Sequence, residues 1–180
     1  MKKNKKYSLV IGLQDILINL KLEDELEFKS KGILRHRPGL ISFLKEIQNY
    51  YEIIIFSLSE DNIADYLINS IEKRNKYFDY RLYRENLSIV NDEFIIDLNQ
   101  IGRPLDKILI ISNIPQLYQY NKEYAINIKN YWGEDLNDNI LYKLGIILKN
   151  IAKDNGDIHS LLLKYKDEII KNVTLGALVY

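Results

Sequence analysis

Tyr7-Ser-Leu-Val-Ile-Gly-Leu13 is a short apolar run, β-branched at its centre, that stops at the polar pair Gln14-Asp15. It has the length of a strand and is too short for a buried helix. Tyr51-Glu-Ile-Ile-Ile-Phe-Ser57 and Lys107-Ile-Leu-Ile-Ile-Ser112 have the same shape. Strands apolar on both faces belong to parallel sheets covered on both sides, and parallel neighbours need crossovers between them. Helical spacing supplies two. Leu40, Phe43, Leu44 and Ile47 follow Pro38-Gly39, and Ile63, Tyr66, Leu67, Ser70 and Ile71 follow a cap at Ser59 or Asp61. The alternation predicts an α/β fold, a doubly wound parallel sheet in three layers.

One stretch breaks the rhythm. Tyr77-Phe-Asp-Tyr-Arg-Leu-Tyr83 and Glu93-Phe-Ile-Ile96 flank the polar Asn91-Asp92 and predict a β-hairpin inserted in the parallel order. A short strand follows near Ala125-Ile-Asn-Ile128. Two closing helices follow, from Ile140 through Ala152 and from Ile158 through Ile170, separated by Asp154-Asn-Gly156. There is no internal repeat or interdomain linker. The organisation is a basic leader over residues 1–6, one domain over 7–170 and a tail over 171–180.

Composition narrows the function. The chain has 180 residues, 47% apolar and 28% charged, with three prolines, which is the make-up of one packed domain and not of a disordered or fibrous chain. A chain of this length buries roughly 70% of its unfolded surface without metal or disulfide staples. Its 25 basic and 25 acidic side chains cancel, so the counterion release that drives nucleic-acid binding is missing, and no nucleic-acid partner is expected. Without cysteine there is no disulfide, thiol nucleophile or thiolate zinc site. No apolar run approaches the roughly 20 residues of a membrane span. The Met1-Lys-Lys-Asn-Lys-Lys6 start reads as a solvated leader, not a signal peptide.

In an open parallel sheet the site lies beyond the carboxyl ends of the strands. The residues there are Gly12, Leu13, Gln14 and Asp15 after the first run, Ser57, Leu58 and Ser59 after the second, and Ser112 and Asn113 after the third. Asp15, three residues past Gly12, should point away from it and act as a solvated or capping carboxylate. His36 reads as a surface or packing residue, His159 as a residue of a late amphipathic helix, and Arg84 beside Glu85 as a partner in an intramolecular salt bridge. The fourteen tyrosines fit either an interface or a biased genome.

These landmarks, with Leu34-Arg-His-Arg-Pro-Gly39, Tyr80-Arg-Leu-Tyr-Arg-Glu85 and Asp97-Leu-Asn-Gln-Ile-Gly-Arg103, closely resemble one branch of the haloacid dehalogenase superfamily. It is the branch of the RNA polymerase II C-terminal-domain small phosphatases, and the resemblance runs from Tyr7 to about Leu163. It implies a haloacid-dehalogenase-like, Rossmann-like fold. It also implies an active-site pattern from which this chain departs. Gly12 stands where the branch has its aspartate nucleophile, Gln14 where it has the general acid/base, Ile96 where it has a phosphate-neutralising lysine, and Ser112 where it has a magnesium-holding aspartate. Ser57 and Asn113 match. Phosphoryl transfer rests on positioning and charge neutralisation, so these departures lead to the expectation of a chain that is not an enzyme and binds no metal or cofactor.

Leu13-Gln-Asp-Ile-Leu17, Asn121-Lys-Glu-Tyr-Ala-Ile126, Tyr131-Trp-Gly-Glu134 and Asp157-Ile-His-Ser-Leu-Leu162 are similar to a non-catalytic group in this branch, the presequence-receptor subunits of the mitochondrial inner-membrane translocase. That resemblance implies a protein-binding module, mitochondrial and associated with the inner membrane. Its partners would be translocase subunits or the basic amphipathic helix of a presequence. The matching surface is Ile89, Val90, Asn91, Asp92, Glu93 and Phe94. That receptor group also carries a transit peptide, a membrane span and a linker ahead of this domain, and none is expected in this chain. Two other readings stay open: an architectural subunit of a large, mitochondrial complex, and a divergent magnesium-dependent phosphatase, with cytoplasm or nucleus as the alternative compartment.

Overall fold

A computed structural model describes residues 5–23 and 31–174. Most of the leader (1–4) and of the tail (175–180) therefore lies outside the described residues. The three decisive runs form β1 (Tyr7–Gly12), β4 (Tyr51–Phe56) and β8 (Ile108–Ser112), each buried along its whole length. With β5 (Tyr80–Leu82) and β9 (Ala125–Asn127) they build a five-stranded sheet in the order β5-β4-β1-β8-β9, every pair parallel.

Alternation along the strands divides the core in two. Leu9, Ile11, Ile53, Ile55, Leu109 and Ile111 pack against α1 (Leu40–Ile47), α2 (Asp61–Ile71), α3 (Ile140–Asp154), α4 (Ile158–Lys164) and α5 (Lys166–Asn172). Val10, Ile54, Phe56, Ile108 and Ile110 face the other way. There they meet Ile96, Leu98, Leu117 and Tyr118, which come from extended and 3₁₀ segments. This corrects the doubly wound expectation. Both faces are covered, as the continuous isoleucine runs require, but among the described residues all the α-helices lie on one of them.

The α1 apolar stripe is as expected, with Leu40, Phe43, Leu44 and Ile47 buried; the chain enters the helix through Gly39 at φ 79°, a left-handed conformation that favours glycine. In α2 the expected face is wrong in phase. Ala64, Leu67, Ile68 and Ile71 point inward, while Ile63 and Tyr66 are 47% and 71% exposed. The N-cap position is Glu60, so neither Ser59 nor Asp61, the two expected caps, fills it. The final predicted helix is two, broken at Tyr165.

Two hairpins differ from expectation. Tyr80–Leu82 is the edge strand of the main sheet and not a hairpin arm. The inserted hairpin is instead β6 (Ser88–Val90) against β7 (Glu93–Ile95), joined at Asn91-Asp92. Both joining residues have positive φ, 51° and 62°, as a two-residue turn matched to strand twist demands. A second hairpin, β2 (Ile18–Glu23) with β3 (Lys31–His36), was not expected; it stands between β1 and α1.

Candidate functional site

Register brings the predicted mouth residues together. Gly12 is paired with Phe56 and Ile11 with Ile111, so Gly12, Ser57 and Ser112 end three adjacent strands. A Cβ on Gly12 would lie 2.7 Å from Ile16 Cδ1 and 3.0 Å from Phe56 Cζ. The point from which a side chain would enter the mouth is thus occupied by buried hydrocarbon, and glycine is the residue that fits.

Gln14 is held at both ends of its amide. Ser57 Oγ donates to Oε1 at 2.9 Å, and Nε2 donates to Ser59 Oγ at 2.6 Å. The Ser59 N–H donates to Ser57 Oγ at 3.0 Å, which closes a ring of three residues across the ends of β1 and β4. Both ends of this one carboxamide are therefore engaged within the protein. Ser112 is fully buried and its Oγ accepts from the Ile114 N–H at 3.1 Å, while Asn113 sits half-buried beside it.

Asp15, expected to be a solvated or capping carboxylate, is a half-buried turn residue at φ 57°. Its Oδ1 accepts from Asn19 Nδ2 at 2.8 Å and its carbonyl from the Tyr131 N–H at 2.8 Å. Ile96 is buried in the same core cluster as Phe56 and Leu117 and lines a groove with Ile54 and Leu82, and its N–H donates to the Leu117 carbonyl at 2.7 Å.

The magnesium that the fold implies can be tested on these groups. Gly12 offers no donor, the Gln14 amide and the Ser112 hydroxyl are committed, and among the described residues no three His, Asp or Glu side chains gather closely enough to hold a metal ion. Magnesium is held by carboxylates and phosphate oxygens in near-octahedral geometry. The residues at this mouth do not fit it.

The remaining candidates fall outside the mouth. Arg84 pairs with Glu60 at 3.2 Å on the surface. His36 meets Ser70 Oγ at 3.2 Å, and burial followed by the nearby Lys73 cation lowers its pKa. The His159 ring lies edge-on to Tyr124. Asp65 accepts from the Tyr83 hydroxyl and from Arg81, and those two hydrogen bonds hold its carboxyl below the usual range.

The residues Ile89, Val90, Asn91, Asp92, Glu93 and Phe94 form the projecting end of the β6–β7 arm, all of them exposed. Ile89 is 66% exposed, and Val90 and Phe94 are each 37% exposed. At the foot of the arm a groove of about 480 Å³ runs between β5 and β6, lined in part by Tyr80, Leu82, Leu87, Ser88, Ile101 and Arg103. Sequence reading missed this groove because it treated Tyr80–Leu82 as part of the arm. It also missed the depth of Arg37. That side chain is buried, and its guanidinium donates to both Asp138 carboxylate oxygens and to the carbonyls of Ile16 and Lys129. It ties the turn after β1 to the segment leading into α3.

Comparison with known proteins gives a consistent answer. The family model of the NLI interacting factor-like phosphatases matches residues 7–159. The chain is 32% identical over 158 residues to CTD small phosphatase-like protein 2 of Dictyostelium discoideum, covering 82% of this chain and 28% of that protein. It is 28% identical over 162 residues to the mitochondrial import inner membrane translocase subunit TIM50 of Candida albicans, covering 89% of this chain and 33% of that protein. The chain thus spans about a third of the length of these relatives. Among solved structures, Fcp1, an essential RNA polymerase II CTD phosphatase, superposes with a TM-score of 0.67 over 92% of this chain and 65% of that one, at 15% identity. That likeness establishes the haloacid-dehalogenase-like α/β fold.

These matches correct one expectation. The chain was expected not to be an enzyme, on the strength of Gly12, Gln14, Ile96 and Ser112. The proteins it resembles carry phosphatase names across most of its length, which points to a phosphatase family, and nothing in them supports a loss of activity.

Proposed function

We propose, since the chain belongs to the family of NLI interacting factor-like phosphatases, that within this fold it holds a polypeptide partner on the β6–β7 arm. The observation that carries the reading is the arm's surface. Ile89, Val90 and Phe94 are exposed together, and residues 85–97 contain four carboxylates (Glu85, Asp92, Glu93, Asp97) with no lysine or arginine, in a chain whose net charge is zero. Apolar area supplies affinity, while carboxylates at its rim select a basic partner. A basic amphipathic segment, such as a presequence, has the complementary chemistry. The likeness to a mitochondrial import subunit supports that choice and a mitochondrial setting associated with the inner membrane.

Fluorescence anisotropy with a labelled basic amphipathic peptide tests the reading. Binding should weaken at least tenfold when Asp92 and Glu93 are both changed to Lys. Unchanged affinity would remove the arm from the proposal. Subcellular fractionation tests the compartment, with recovery in cytosol or nucleus as the contrary result. Constitutive copurification in a fixed-ratio assembly without peptide affinity would favour an architectural role.

A second reading, phosphatase activity, is favoured by the names of the relatives. Hydrolysis of an aryl phosphate, assayed with magnesium and with chelator, tests it. Turnover abolished by Gln14→Ala would place the chemistry at the mouth.

A further inference from the structure

β6 and β7 form a two-stranded sheet that pairs with no strand of the main sheet. Two strands alone are marginal in water, and a third strand is the usual completion. The two sides of this ribbon differ. On the β7 side the Ile96 N–H is taken by the Leu117 carbonyl, and Glu93 accepts from Gln119 at 2.9 Å. That bond also fixes the phase of the ladder. Ile96 and Phe94 direct their backbone groups away from β6, so Ile89, paired with Phe94, directs its own N–H and C=O away from β7. Among the described residues no hydrogen bond to either Ile89 group is found.

The β6 edge lacks most of the features that discourage strand pairing. Ser88-Ile89-Val90 contains no lysine, proline or bulge, and two of its three residues are exposed and β-branched. Its shortness limits an added segment to about three to five paired residues. Alongside the edge, the groove between β6 and β5 offers space for side chains projecting from such a segment.

We propose that the partner of the arm binds as an extended strand added to β6, its backbone exchanging hydrogen bonds with Ile89, and not as a helix. This inference rests on the arm being a polypeptide site, and it specifies the mode. The occupant is a short segment of another protein that alternates apolar with basic residues. The apolar residues lie over Ile89 and its cross-strand neighbour Phe94, which share one face of the ribbon, and the basic ones project to the other face, toward Glu93 and Asp97.

Two labelled peptides of one Leu/Lys composition, one alternating residue by residue and one patterned at helical spacing, separate the possibilities. The alternating peptide should bind. Its affinity should fall about tenfold with Ile89→Pro, which removes the outward N–H and leaves the ladder to β7 intact, and by much less with Ile89→Thr, which keeps it. N-methylation of alternate amides in the peptide should weaken binding similarly. That arm decides the matter if the amide NMR spectrum shows that Ile89→Pro disturbs the hairpin. If the helical pattern binds and neither Ile89→Pro nor N-methylation matters, strand addition is wrong, while sensitivity to Asp92→Lys and Glu93→Lys keeps the arm as the site. If neither peptide binds, both proposals fall.

Discussion

Asp138→Ala should be among the most damaging single changes in the molecule. Arg37 is 1% exposed, and Asp138 supplies its only carboxylate among the described contacts, receiving Nε at 3.1 Å and Nη2 at 2.8 Å. Removing it leaves a buried cation with the carbonyls of Ile16 and Lys129, at 3.1 and 3.0 Å, and breaking a buried pair from one side costs about 3–5 kcal/mol. The same carboxylate accepts from the Ile140 N–H at 2.9 Å in the turn leading into α3, a further hydrogen bond worth about 1 kcal/mol. A domain of this kind has about 5–15 kcal/mol in all, so Asp138→Ala should approach the folding threshold, with Asp138→Asn in between. Urea unfolding followed by circular dichroism measures this, provided the m-value is unchanged. The pair Arg37→Met with Asp138→Leu should cost far less than the single changes combined. A loss below about 1 kcal/mol for Asp138→Ala, or simple additivity in the double variant, would refute the reasoning.

Other outcomes follow from the same structure. Gly12→Ala brings a methyl group against Ile16 and Phe56 and should cost about 1–3 kcal/mol, partly recovered with Ile16→Val; a neutral result by thermal melting would show that the pocket has slack. Burial works to raise the pKa of Glu52, but hydrogen bonds from Arg103 and Ser8 outweigh it and leave the carboxyl below its ordinary value. A depressed carboxyl contributes stability above its unfolded pKa of about 4.3 and loses it as the pH falls through the folded value. The urea midpoints of wild type and Glu52→Gln should therefore converge on acidification below that pH, and a constant gap would count against the pair. Asp92→Gly relieves a left-handed conformation at the arm's turn and should stabilise it by about 1 kcal/mol, read as slower amide exchange at Ile89 and Phe94.

The parts legible in the sequence are those where one signal dominated. Ile53, Ile54 and Ile55 can be accommodated only by a strand covered on both faces, and they fixed the sheet. In α2 the apolar residues cover a broad arc, and Ile63 and Tyr66 competed with Ala64 and Ile68 for the buried face; the small alanine, though fully buried, gave the weaker hydropathic signal. Tyr80-Arg-Leu82 has too few residues to show a period, so its place at the sheet edge depends on pairing with Ile54 and Phe56, a contact that spacing does not reveal. Arg37 reads as a surface charge until Asp138, about a hundred residues on, is brought beside it. At the mouth the identities of Gly12, Gln14, Ser57 and Ser112 were legible, and the closed ring of Gln14 with two serines was not. The family was legible in the order of the landmarks and is borne out by the matching family model, whereas the correction about enzymatic standing came from the relatives.

The strand order has a consequence for how the chain is made. β1 is central, bonded to β4 on one side and to β8 on the other, with Ser8 facing both Glu52 and Ile108. It leaves the ribosome before either partner, and its second neighbour follows about 100 residues later, a wait of about 5–20 s at ordinary elongation rates. During that interval Leu9, Val10 and Ile11 have only half their sheet. Nascent chains should therefore engage holdase chaperones through this segment until Ile108–Ser112 emerges.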